Sequence, residues 1–129
     1  MIEPDFLSVD DVLLIHDEQI QTYGGIHGIR DEGLLESAVM TPQASFGGEY
    51  LHQGLFEMAA AYGFHIAENQ PFLDGNKRTA LSSALVFLDV NSVEILDESM
   101  KLYEAMIAIA EKRMDKYGLA TLLKTLSEQ

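Results

Sequence analysis

Apolar residues recur three and four positions apart along almost all of this 129-residue chain, and that spacing commits it to helices. Val12, Leu13, His16, Ile20 and Tyr23 form one stripe, and Leu55, Met58, Ala59, Tyr62 and Ile66 form another. Turn residues cut the pattern into pieces. Ser8 followed by Asp10 and Asp11 predicts a capped helix start, and Gly24-Gly25 predicts its end. His16 lies on that apolar stripe and is read as a packed or capping residue. Asp31 is expected to cap a shorter helix through Leu34, Leu35, Ala38 and Val39, which Pro42 stops near Thr41. Residues 43–53, with Gly47-Gly48 between Phe46 and Tyr50, suit a turn or short hairpin serving as a flap.

A third helix is expected from about Gly54 to Glu68 or Asn69. A fourth runs from Lys77 to Leu88, so rich in Ala and Leu that it is expected to be central and buried. Val93–Leu96 reads as a short extended piece. Asp97 or Ser99 then caps a long helix carrying Leu102, Met106, Ile109 and Ala110, which Gly118 is expected to break before a last short helix, Leu119 to Leu126. The six methionines are spread through these helices and read as core filler. The expected fold is an all-α bundle of about six helices, a single domain spanning 1–129, with no repeat or interdomain linker.

Composition narrows the chemistry. The absence of cysteine removes disulfides, thiolate nucleophiles and cysteine-ligated metals. No basic-then-apolar leader opens the chain, and no stretch approaches the ~18 apolar residues of a membrane span, so a cytoplasmic protein with no membrane association is expected. Eight basic against 21 acidic residues give a net charge of −13, a field that disfavours direct nucleic-acid binding. Such a field suits a basic partner, or serves solubility alone.

Against that background Lys77-Arg78 is anomalous. Two cations in the first turn of a helix face the positive end of its dipole, each unfavourable by about 0.3–1 kcal/mol. The preceding Asp74-Gly75-Asn76 turn offers a glycine that lets a ligand approach the backbone, and amides at a helix start that cradle anions. A bound polyphosphate would reverse the penalty. The alternative is a plain turn, with Asp74 as the cap and the two cations bridging to surface carboxylates. The spacing is neither that of a P-loop nor that of a dinucleotide fingerprint.

The run Asn69-Gln70-Pro71-Phe72-Leu73-Asp74-Gly75-Asn76-Lys77-Arg78-Thr79-Ala80-Leu81 resembles the signature of the Fic/Doc family, His-x-Phe-x-Asp/Glu-Gly/Ala-Asn-Gly/Lys-Arg. Tyr23-Gly24-Gly25, Gly28-Ile29-Arg30-Asp31, Gly33-Leu34-Leu35-Glu36-Ser37-Ala38 and Phe46-Gly47-Gly48 also resemble its Doc (death-on-curing) branch. The resemblance implies that Asp74 holds Mg2+, that Gly75 and Asn76 cradle phosphate, that Arg78 clamps it, and that Phe72 anchors the loop. Lys77 stands where AMP-transferring Fic enzymes carry glycine, which points to Doc-type transfer of a terminal phosphate from ATP, or another nucleoside triphosphate, to a protein hydroxyl. By resemblance the target is elongation factor Tu, so that translation is inhibited, and a cognate Phd-like antitoxin is the inhibitor.

Gln70 departs from this pattern. The family has a histidine there as general base, and a carboxamide has no group that accepts a proton near neutral pH. Gln70 can orient a hydroxyl by hydrogen bonding but cannot deprotonate it. The expectation is an impaired or altered phosphotransferase. The alternatives are a catalytically silent binding module or an AMP-transferring enzyme. His52, in the flap segment, and His65, five residues before Gln70, are read as structural, and His27 has no feature that marks it.

Overall fold

Side chains make most of the helix starts. In a computed structural model, which describes residues 3–128, Ser8 Oγ accepts from the Asp11 amide and the Asp11 carboxylate accepts from the Ser8 amide, a reciprocal cap on α1 (Val9–Tyr23). Asp31 caps α2 (Glu32–Met40) through the Leu34 amide at 3.0 Å. Pro42 then falls in a single 3-10 turn, Thr41–Gln43. The glycine pair makes a hairpin: β1 (Ser45–Phe46) pairs antiparallel with β2 (Glu49–Tyr50), Ser45 opposite Tyr50. Phe46 at its tip is exposed.

α3 (Leu55–Asn69) and α4 (Asn76–Val90) follow, joined by the short segment that carries the signature. α3 is the centre of the bundle and packs against α2, α4, α5 (Lys101–Ala110) and α6 (Lys116–Ser127). This corrects the expectation that the Ala-Leu helix would be central. α3 buries Ala59, Ala60, Ala61 and Gly63 together with Tyr62 and Ile66, and small side chains let several neighbours approach one helix closely. α4 buries Thr79, Ala80, Ser83, Ala84, Phe87 and Leu88, while Leu81, Leu85 and Val86 are only partly covered.

Three further expectations change. Val93–Leu96 joins no strand, although the Leu96 amide donates to the Leu126 carbonyl at 3.3 Å. Gly118 does not end a helix. The long helix stops at Ala110, and Gly118 lies in the first turn of α6, donating its amide to the Asp115 cap at 2.8 Å. Of the methionines, Met58 and Met106 are core, but Met40 and Met100 are 54% and 62% exposed; Met1 lies outside the described residues. Asp97 does cap α5, its two carboxylate oxygens accepting from the Lys101 and Leu102 amides at 2.9 and 2.8 Å. No helix of the described residues is long and apolar enough to cross a membrane.

His52 and His65 meet at the base of the hairpin, where Lys116 Nζ donates to both Nε2 atoms at 2.9 and 3.2 Å. Burial, then the Lys116 ammonium, then His52 push the His65 imidazole down to about 4, against a smaller upward pull from Glu68. Burial and Lys116 also lower His52, offset in part by Glu57. The folded chain therefore keeps His65 neutral where an unfolded imidazole, ordinarily near 6.5, is already protonated. Stability from this group is complete above pH 6.5 and is lost as pH falls towards 4. Allowing for solvent screening of a half-buried site, the loss is about 1–2 kcal/mol. Denaturant titrations at pH 7, 5.5 and 4 should show a loss larger by that amount in the unmodified chain than in His65→Gln, which can still accept from Lys116 but does not titrate, while His52 contributes to both. Parallel pH curves for the two chains would refute the assignment.

Candidate functional site

The signature segment leaves α3 at Gln70, whose backbone is left-handed (φ 47°, ψ 58°) and turns the chain back towards α4. Pro71 and Phe72 then enter the core, Phe72 being 1% exposed. Asn76 fastens the loop: its Oδ1 accepts from the Phe72 amide at 2.9 Å and its Nδ2 donates to the Phe72 carbonyl at 3.0 Å. Both ends of the Asn76 carboxamide are thus occupied, and its backbone amide is the donor left for a ligand. Gly75 is left-handed (φ 74°), and a Cβ there would stand 3.1 Å from Ile20 Cδ1 and 3.4 Å from Arg78 Nη2.

The loop is held from outside by residues far away in sequence. Segment 28–31 runs beside it, with the Arg30 amide donating to the Pro71 carbonyl at 2.7 Å and the Leu73 amide to the Gly28 carbonyl at 3.1 Å. The Arg30 guanidinium donates to the carbonyls of Gln70 and Asn69 at 2.6 and 2.7 Å, capping the end of α3 with a cation where the dipole favours one. The buried His16 ring stacks on Phe72 at 3.8 Å between centroids, and its Nε2–H donates to the Asp74 carbonyl at 2.9 Å. Asp74 Oδ2 accepts from the Ile26 amide at 3.1 Å, and Oδ1 accepts from the Gly75 amide at 2.8 Å. A Cβ on Gly25 would lie 2.6 Å from Asp74 Oδ2, so only glycine allows this approach.

Gln70, Asp74, Gly75, Asn76, Lys77 and Arg78 all line one cavity of about 500 Å³, within the usual range for a small-molecule site. Leu73 of the loop, Ala67 and Glu68 of α3, Ile109 and Ala110 at the end of α5, and Lys112 just after it complete it. Arg78 is fixed: Nη2 donates to the Gly24 carbonyl at 3.1 Å and the guanidinium lies 5.5 Å from the Tyr23 ring centroid. Lys77 is exposed and has no polar partner among the described residues. Nor do the backbone amides of Asn76, Lys77 and Arg78, the first three of α4. Among the described residues neither Lys77 nor Arg78 bridges to a carboxylate, so the plain-turn alternative loses its main feature.

Gln70 is exposed and its carboxamide makes no hydrogen bond among the described residues. His52 and His65 do not line the cavity and are engaged by Lys116, and His27 Nδ1 lies 3.2 Å from Asp17 Oδ1. Sequence reasoning did not single out Arg30, Gly25, Glu68 or Lys112. Arg30 and Gly25 belong to segments that resemble the Doc branch, which was the one available signal for them. Among the described residues no group of three or more His, Asp or Glu could hold a metal. Of the two carboxylates on the cavity, Glu68 is paired with Lys112, and Asp74, each of whose oxygens accepts a single amide, fits an ion such as Mg2+, which takes one or two protein carboxylates and fills its shell with phosphate oxygens and water.

The family model for the Fic/DOC family matches residues 6–88. The chain is also 35% identical over 120 residues to the protein kinase doc of Escherichia phage P1, covering 93% of this chain and 94% of that protein. The chain belongs to the Fic/Doc family. The toxin Doc of Mycolicibacterium smegmatis is 42% identical over 73 residues, 57% of this chain and 56% of that protein. The small all-helical Fic/Doc fold accounts for the six helices, and the family match ends at Leu88, near the end of α4. Ile109 and Ala110 of α5, and Lys112 in the turn after it, complete the cavity and lie beyond that match.

Proposed function

We propose that this Fic/Doc chain is a Doc-type toxin, a scaffold for transfer of the terminal phosphate of a nucleoside triphosphate to a protein hydroxyl, weakened at Gln70. The observation that carries the reading is the pairing of an uncommitted Lys77 and three unpartnered amides with a fixed Arg78, all on one cavity wall. ATP with Mg2+ would supply the transferable group, Asp74 being the residue to hold the ion. The chain's own part is positioning and charge neutralisation, which carry most of the catalysis in phosphoryl transfer. Lys77 and the amides of Asn76, Lys77 and Arg78 would neutralise phosphate oxygens, and Arg78 would bind them in its planar fork.

The proton of the target hydroxyl has no good acceptor. Gln70 cannot take it. The two carboxylates on the cavity, Asp74 and Glu68, are already engaged, one by backbone amides and one by Lys112. That observation favours the second reading, a silent module that binds nucleotide and partner. By family resemblance the target is elongation factor Tu, and a Phd-like antitoxin would bind and silence the toxin in the cytoplasm.

Incubation with Mg2+, elongation factor Tu and ATP labelled at either the γ- or the α-phosphate separates the readings. Slow transfer of γ-label is expected. Transfer of α-label would show AMP transfer, and binding without transfer would show the silent module. Arg78→Ala should weaken MgATP binding by roughly 10- to 100-fold, the worth of a charge-assisted contact. Failure of the unmodified chain to bind any nucleoside triphosphate would refute the proposal.

A further inference from the structure

Lys112 occupies a backbone position that its side chain does not favour. α5 ends in a Schellman arrangement, the Arg113 amide donating to the Ala108 carbonyl at 2.8 Å and the Lys112 amide to the Ile109 carbonyl at 3.0 Å. The residue at the turn, Lys112, has φ 63°. Glycine is preferred there because a Cβ crowds the backbone in the left-handed region. Local stability therefore does not account for a lysine.

Its side chain is used elsewhere. Lys112 lies on the wall of the signature cavity that the signature itself does not supply, and its Nζ stands 2.5 Å from Glu68 Oε2, on the same cavity. Glu68 takes one of the three ammonium donors, and the Lys112 side chain remains 70% exposed, so the others are open to a ligand. Two of the four non-glycine residues with positive φ, Gln70 and Lys112, line this one cavity. So do three of the eight basic residues in an acidic chain, Lys77, Arg78 and Lys112.

We propose that Lys112 is a third cationic contact for the phosphate chain of the nucleotide, supplied from the turn that ends α5 and held at the cavity wall by Glu68. This rests on the nucleotide reading given above. It gives the turn after α5, beyond the family-matched region, a direct part in ligand binding. Backbone geometry also makes the contact separable from folding, because removing the side chain relieves the turn.

The test compares MgATP affinity by calorimetry with the melting temperature of the unliganded chain. Lys112→Gly should raise Tm by roughly 3 °C, since glycine suits the turn. The same variant should weaken MgATP binding about tenfold at low salt, with the difference shrinking as salt is added. Lys112→Arg, which keeps the charge, should bind like the unmodified chain. The double variant Glu68→Gln/Lys112→Gly should stay as weak as Lys112→Gly. Recovery of affinity in the double variant would overturn the contact, because Lys112 would then only mask the Glu68 charge. If Arg78→Ala loses MgATP and Lys112→Gly does not, this inference alone falls. If the unmodified chain binds no MgATP, the nucleotide reading falls with it.

Discussion

Gln70→His is expected to raise the rate of γ-phosphate transfer by about 100- to 10,000-fold, the usual contribution of a positioned general base. The backbone should accept the change without rearrangement. Residue 70 is left-handed, a conformation in which histidine is several-fold enriched among non-glycine residues. Arg30 holds the carbonyls of residues 69 and 70, on either side of the residue 70 Cα, so the position of the backbone does not depend on the side chain. The new imidazole would stand on the cavity rim, where the carboxamide makes no hydrogen bond that must be broken. Single-turnover kinetics over pH 5–9 would read the effect, the gain following an ionisation near that of imidazole. Equal rates in both chains would mean that catalysis here needs no base at residue 70.

Phe72→Ala should cost about 3–5 kcal/mol, a large share of the ~5–15 kcal/mol that holds a domain of this size. The ring is 1% exposed and stacked on His16, so its removal empties a site lined on one side by a flat ring that cannot move in to fill it. The loss should reach the ligand as well. His16 also donates to the Asp74 carbonyl, and Asn76 grips both backbone groups of residue 72, so the same side chain that fills the core sets the loop. Chemical denaturation and MgATP titration should fall together. A penalty under ~1 kcal/mol with intact binding would show that the loop is held without this ring.

Helix ends were readable because their determinants are local. Ser8, Asp31 and Asp97 each satisfy amides within five residues, and a short-range pattern of that kind is visible in sequence. Gly118 misled for the same reason. Glycine is a common helix stop, but here it sits in a first turn, and the stop is a left-handed lysine that no composition rule announces. Exposed Met40 and Met100 show that an apolar residue at helical spacing need not face the core. The Ala-Leu run of α4 read as the centre, yet the bundle is organised about α3, because small residues on several faces of one helix matter more to close packing than total apolarity.

What the chain determined alone was its division into capped helices and the chemical content of the turn between α3 and α4: a carboxylate, a glycine, an amide and two cations, all within bonding reach of one another along the backbone. What only the tertiary structure decided was how that turn is held and completed. His16 and Arg30 reach it across 58 and 39 or 40 positions, and Lys112 closes the cavity from the turn after another helix. Contacts at such separations depend on which helix faces pack together, and the free energy of that packing belongs to the whole core and to no single segment.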